Sequence, residues 1–191
     1  MFIYCDARKR VRLASVFLLV CLVFIGGDAE ATVMKFMEVE ELARLSSEVI
    51  RGEVLATKCY WSGDRQRIFT AVQVRVAESF KGTRRGGETV TITQLGGEKD
   101  GMRLDYSGRP EFVVGEAVVL FTRPGRNDDL VVVALKQGKM KVEGREVVRD
   151  FAGITLLDEV KAGVSARSMP TEARRVRLSL DELRRRIARG N

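Results

Sequence analysis

The chain has 191 residues, a formal net charge of +7 and no histidine. Without histidine, Ser-His-Asp and Cys-His catalysis are excluded, together with the usual proton shuttle and the most frequent metal ligand. A zinc site would need carboxylates and a thiol alone, which is a poor ligand set. The length allows one globular domain with a leader and a tail. A hydrophobic share of 45% against 31% charged residues is the balance of a protein that buries a real core.

The N-terminus reads as a secretory signal. Arg8, Lys9, Arg10 and Arg12 form a basic start, and residues 13–25 are apolar apart from Ser15. Thirteen residues suit a signal core but are short for a membrane span, which needs roughly 20. Ala29-Glu30-Ala31 supplies a small-x-small site, so cleavage is expected after Ala31 and export follows, to a periplasm or beyond. An uncleaved anchor and lipidation at Cys21 are the alternative readings. Cys5 and Cys21 leave with the signal, so the expected mature chain keeps only Cys59 and forms no internal disulfide. That thiol could be reactive or pair between chains; the plainer reading is a half-buried residue at a strand end.

Residues 36–46 have helical spacing, with Glu38, Glu40 and Glu41 in the early turns, where the helix dipole favours acids. Five apolar runs follow and predict strands: 48–55, 68–77, 89–95, 116–121 and 130–135. Glycines punctuate them, which implies a small antiparallel barrel or sandwich. Gly52 inside the first run predicts a bulge. In the second, Ile68, Thr70, Val72, Val74 and Val76 share one face, while Gln73 and Arg75 take the other. The run 116–121 is nearly all apolar, as a central strand would be. Residues 58–66 read as a turn, and 96–115 as a long irregular loop of the kind that often carries function. A hairpin is expected around Glu143-Gly144. Residues 153–170 read as a partly ordered linker and 178–187 as a closing helix. Ser179 and Glu182 form a capping-box pair there, and Leu180, Leu183 and Ile187 make an apolar stripe.

Little in this pattern carries chemistry. Glu98, Asp100 and Asp105 could offer oxygens to calcium, but the spacing matches no EF-hand and Lys99 and Arg103 neutralise them, as on plain charged loop surface. Gly96-Gly97 lacks the lysine and hydroxyl residue of a phosphate loop. The positive charge is concentrated in residues 166–191, with eight arginines against three acids. Arg184, Arg185 and Arg186 lie on the polar side of the closing helix, where they could attract anionic lipid or polysaccharide. Alternatively, the helix packs through its apolar stripe and shows its arginines to water. Export and the scarcity of aromatic residues argue against nucleic acid.

Several short motifs run in order along the chain. Ser47-Glu48-Val49-Ile50-Arg51-Gly52-Glu53-Val54 comes first, then Val72-x-Val74-x-Val76 leading into Phe80-Lys81-Gly82. Val90-x-Ile92 with Gly96-Gly97 follows, and Phe112-x-x-Gly115-Glu116 runs into Val118-Val119-Leu120-Phe121. On these motifs, residues 42–121 resemble a family of uncharacterised bacterial exported proteins. More distantly they resemble the netrin-like modules and tissue inhibitors of metalloproteinases. The resemblance implies a mainly β fold, a five-stranded OB-like Greek-key barrel, with a short N-terminal helix and a C-terminal amphipathic helix. The inhibitors place a disulfide-bonded N-terminal cysteine over the enzyme's zinc. Here the expected mature start is Thr32, so the fold carries over and the inhibitory residues do not.

The expected organisation is a signal over 1–31, a barrel domain over 32–152, and a linker with a basic helix over 153–191. The expected function is a non-enzymatic exported module that holds a protein or peptide on a barrel face and the 96–115 loop. Tyr60, Trp61, Glu98, Arg103, Tyr106 and Arg109 are the candidate contacts. No cofactor, metal ligand or catalytic residue is assigned. The two alternatives are polyanion docking through Arg184, Arg185 and Arg186, and a carboxylate-based hydrolase using Glu98 and Asp105.

Overall fold

A computed structural model describes residues 33–152, 154–157 and 175–190, all within the unit Ala31–Asn191. The expected signal and most of the expected linker lie outside these residues. The described chain is mainly β with two helices. Its largest sheet has eight strands, three more than the five expected.

Three long antiparallel strands begin that sheet: β2 (Glu48–Trp61), β3 (Ile68–Lys81) and β4 (Thr89–Leu95). On β3 the alternation holds, with Ile68, Thr70, Val72, Val74 and Val76 buried and Gln73 and Arg75 exposed. The β2–β3 register shifts at Gly52, as a bulge requires. A Cβ at Gly52 would lie 2.5 Å from the Arg75 carbonyl oxygen, so only glycine admits this approach. The expected turn at 58–66 is shorter than predicted. Lys58 to Trp61 stay in β2 because each pairs with a residue of Ile68 to Ala71, whatever their polarity. The reversal is confined to Ser62–Arg67, where the Ser62 amide donates to the Arg67 carbonyl at 2.8 Å.

Strand β7 (Ala117–Pro124) lies against β2 and is buried on both faces from Val118 to Thr122. Its other edge is divided between two partners. Thr122 to Pro124 pair with β8 (Leu130–Val132), and Val118 to Leu120 pair with β9 (Lys139–Glu143). A 3-10 turn over Leu135–Gly138 links those two partners. β8 also touches β4 in parallel through Ile92 and Leu130. Beyond β9 the sheet continues into β10 (Glu146–Asp150) and β12 (Arg175–Ser179), and these three are the extra strands. The hairpin expected at Glu143-Gly144 is the β9–β10 pair.

The two faces of β7 feed two cores. Val118 and Leu120 pack with Ile50, Val72, Val74, Ile92 and Leu130. Val119 and Phe121 pack with α1 (Val39–Leu45) and α2 (Leu180–Arg189). Val39, Leu42 and Ala43 come from the first helix, and Leu180, Leu183 and Ile187 from the second. The Ser179 hydroxyl accepts the Glu182 amide at 3.1 Å, so α2 begins at its predicted cap. Two further corrections concern regions expected to lack regular structure. Within the predicted linker, β11 (Thr155–Leu157) pairs in parallel with β1 (Val33–Lys35). Within the predicted loop, β5 (Gly97–Lys99) and β6 (Met102–Leu104) form a small hairpin. Each is only three residues long, too short to show a period in the sequence. Among the described residues no helix is long and apolar enough to cross a membrane.

Candidate functional site

Cross-strand register places Cys59 of β2 opposite Thr70 of β3, and Thr70 opposite Gln94 of β4. The three form a polar row at the end of an apolar surface, directly beyond Val72 and Ile92. The Thr70 hydroxyl donates to the Gly96 carbonyl at 2.6 Å. Its oxygen is therefore left to accept, and the Cys59 thiol lies 3.4 Å away as donor. Gln94 is 6% exposed, and its Nε2 donates to the Pro110 carbonyl at 3.0 Å. Its Oε1 is buried and has no hydrogen-bond partner among the described residues. A buried amide oxygen in that state forfeits its hydration, so it is a ready acceptor for any ligand N–H or O–H.

The β5–β6 hairpin folds against this row. Gly97 has φ +135°, and a Cβ there would lie 2.6 Å from both the Cys59 sulfur and the Thr70 hydroxyl. Glycine at this position lets the hairpin close on the thiol. Between the row and the segment that follows β6 lies a cleft of about 240 Å³, lined in part by Glu98, Arg103, Arg109 and Phe112. Arg109 also borders a second cleft of about 430 Å³ with Tyr106. Glu111, Lys136 and Ala152 then border both that cleft and a third of about 850 Å³. Residues 97–116 thus rim three adjoining clefts.

Charge along this rim is held in pairs. Asp105 accepts from Arg103 and Arg109, each at 3.1 Å, and these bonds keep its carboxyl below the usual range. Burial of Tyr106 pushes its phenol up. Lys139 meets Glu116 at 2.6 Å and also bonds the Glu111 carbonyl, with its ammonium 4.9 Å from the Phe112 ring centre. Burial pulls its pKa down. The pair pins the far end of the rim to β9.

The candidate contacts therefore separate. Glu98, Arg103 and Arg109 meet at the first cleft and Tyr106 at the second. Tyr60 and Trp61 border none of the three. Trp61 donates its indole N–H to Asp100 at 2.8 Å, and Tyr60 stacks on Phe69 with ring centres 5.9 Å apart. Glu98, Asp100 and Asp105 do not converge, and no acid or thiol cluster among the described residues could hold a metal ion. The sequence alone does not mark Cys59 as a cleft residue, or Thr70, Gln94 and Phe112 as contacts. A usable signal was present: Thr70 and Gln94 are polar residues on the apolar faces of otherwise alternating strands.

The basic helix has other commitments. Arg184 is bidentate with Glu78 at 3.0 Å and bonds Asp181 at 2.8 Å. Arg185 meets Glu182 at 2.6 Å, and Arg186 meets both Glu38 and Glu40 at 2.6 Å. Docking these arginines on a polyanion would compete with those pairs. The sequence matches no protein-family model, and it matches no curated protein.

Proposed function

We propose that the chain is an exported, non-enzymatic binding module built on a five-stranded OB-like barrel, which holds a protein or peptide partner along the 97–116 rim. The barrel reading is supported by the pairing circuit β2–β3–β4–β8–β7 and back to β2. One buried cluster also draws on all five of those strands. Export rests on the basic and apolar N-terminal pattern and the Ala29-Glu30-Ala31 site. One observation carries the binding reading: three adjoining clefts share a single rim, and the first is lined by a residue with an unpartnered buried acceptor and by two arginines. Concave surface with a few convergent polar groups is the usual form of a binding site.

The test is to pan the purified mature chain against a random peptide library and measure the recovered sequences by calorimetry. The expected result is a shared motif whose affinity falls about tenfold or more in Arg109→Ala and Phe112→Ala. Peptides that bind the wild type and both variants equally would refute the rim as the site. Export is checked separately, by N-terminal sequencing of the chain recovered outside the cytoplasm, with Thr32 expected first.

A further inference from the structure

We infer that the first cleft is a thiol-exchange site, at which Cys59 takes up one half of an amino-acid disulfide of the cystine class as a mixed disulfide. This rests on the reading of the cleft as a ligand site and names the chemistry it takes. Five residues along the cleft match three features of such a ligand, its sulfur, its ammonium and its carboxylate. Cys59 is half-buried and lines the cleft, which places its thiol at the cleft wall for a partner sulfur. Gln94 Oε1, buried without a partner, accepts an ammonium N–H. Glu98 also lines the cleft and supplies an anion for the ammonium. Arg103 and Arg109 each give one N–H to Asp105 and have further donors in the guanidinium fork for an α-carboxylate. A cleft of about 240 Å³ has room for one amino-acid-sized moiety rather than a long peptide.

The step balances without a further reagent. The Cys59 thiol gives up its proton, and the thiolate attacks one sulfur of the disulfide. A new S–S bond forms to Cys59, and the original S–S bond breaks. Its electron pair leaves on the second sulfur, which takes the proton and departs as the free amino-acid thiol. Cys59 is oxidised and the departing half is reduced. The oxidant is the amino-acid disulfide itself.

The experiment treats the reduced full chain with three disulfides: cystine, cystamine, which lacks the carboxylate, and the neutral 2-hydroxyethyl disulfide. Peptide-mapping mass spectrometry follows modification at Cys59, and each rate is divided by that of the same chain unfolded in urea. In the folded chain, cystine is expected to react at Cys59 about tenfold faster, relative to the unfolded reference, than either comparison disulfide. Gln94→Leu is expected to slow cystine and cystamine together, since both carry the ammonium, while 2-hydroxyethyl disulfide, which has none, keeps its rate. The wild-type comparison stands even if this variant fails to fold. Equal normalised rates for the three reagents, or no modification at Cys59, overturn the inference. Peptide binding is measured in parallel on Cys59→Ser. Failed discrimination with peptide binding intact removes the thiol assignment alone; failure of both removes the ligand site as well.

Discussion

Arg186 and Glu40 lie 146 positions apart and meet in a two-bond fork, Nε at 2.8 Å and Nη2 at 2.6 Å from the two carboxylate oxygens. Glu38 adds a third bond to the same guanidinium at 2.6 Å. The fork joins the last turn of α2 to the first turn of α1, where cation and anion each favour the local helix dipole. It closes the described chain on itself above the Val119 and Phe121 face of the sheet. Glu40→Gln is expected to cost about 1–2 kcal/mol, because a charge-assisted pair is lost and Arg186 is left half-buried. For a chain of this size, thermal unfolding should report a fall of roughly 2–4 °C per kcal/mol.

The same pair predicts a pH dependence. The Arg186 bonds hold the Glu40 carboxyl below its ordinary value of 4.5. A group depressed in the folded state adds stability that is present above its unfolded pKa and lost as pH falls through the folded one. The melting-temperature gap between wild type and Glu40→Gln is therefore expected to be constant near neutrality and to shrink below about pH 4.5. A gap that persists unchanged into strong acid would show that the variant acts through packing instead.

Much of this arrangement is legible in the sequence, and the rest fails for identifiable reasons. β4 has the bounds its β-branched run predicts, and the two-residue alternation of β3 names its buried face residue by residue. The cap and stripe of α2 are equally plain, because each is a local pattern. What stays hidden is set by distant partners. Lys58 to Trp61 look like a turn until Ile68 to Ala71 come alongside. Arg175 to Arg177 look like part of a tail, and Leu178 and Ser179 like the start of the closing helix, until β10 pairs with all five. At the site, Glu98, Arg103, Tyr106 and Arg109 stand out as loop polarity. The row of Cys59, Thr70 and Gln94 exists only through the register of three strands.

Phe121 is expected to be the most sensitive position of β7. It is fully buried and faces the cluster that joins both helices to the sheet. Phe121→Ala should cost about 3–5 kcal/mol through lost burial and the cavity left behind. Leu183→Ala, on the helix side of the same cluster, should cost about 2–5 kcal/mol. The two are in one cluster, so their double variant should fall short of additivity in urea unfolding. Full additivity would mean that α2 and β7 do not share a core.

Gly97→Ala is expected to open the hairpin at the cleft. The added methyl meets both Cys59 and Thr70 at 2.6 Å, on a backbone with φ +135° that side chains rarely adopt. Steric repulsion and backbone strain together should cost about 1–3 kcal/mol. Because the methyl pushes the hairpin off the thiol, Cys59 should react faster with an aromatic disulfide reagent than in wild type. Unchanged stability and unchanged thiol reactivity would show that the hairpin does not rest on Cys59.

Arg149 poses the opposite problem, a cation that the fold has taken out of water. It is 1% exposed and lies over both the Phe36 and Phe151 rings, 5.2 and 5.0 Å from their centres. Nη2 donates to the Met37 carbonyl at 2.9 Å, but Nε has no hydrogen-bond partner among the described residues. Burial pulls its pKa down to about 10. A base depressed in the folded state carries its full penalty while it stays charged, and that penalty is relieved only as pH rises through the folded value. Arg149→Met fills similar volume without the desolvation cost and keeps contact with both rings. It is expected to match wild type within about 1 kcal/mol or to exceed it. Arg149→Ala leaves a void and should lose about 2–5 kcal/mol. Between about pH 6 and about pH 9 the gap between wild type and Arg149→Met should not move, since Arg149 is charged throughout. Urea midpoints across that range decide the matter. A loss of more than about 2 kcal/mol in Arg149→Met would mean that the Met37 bond and the ring contacts outweigh the cost of burying the charge.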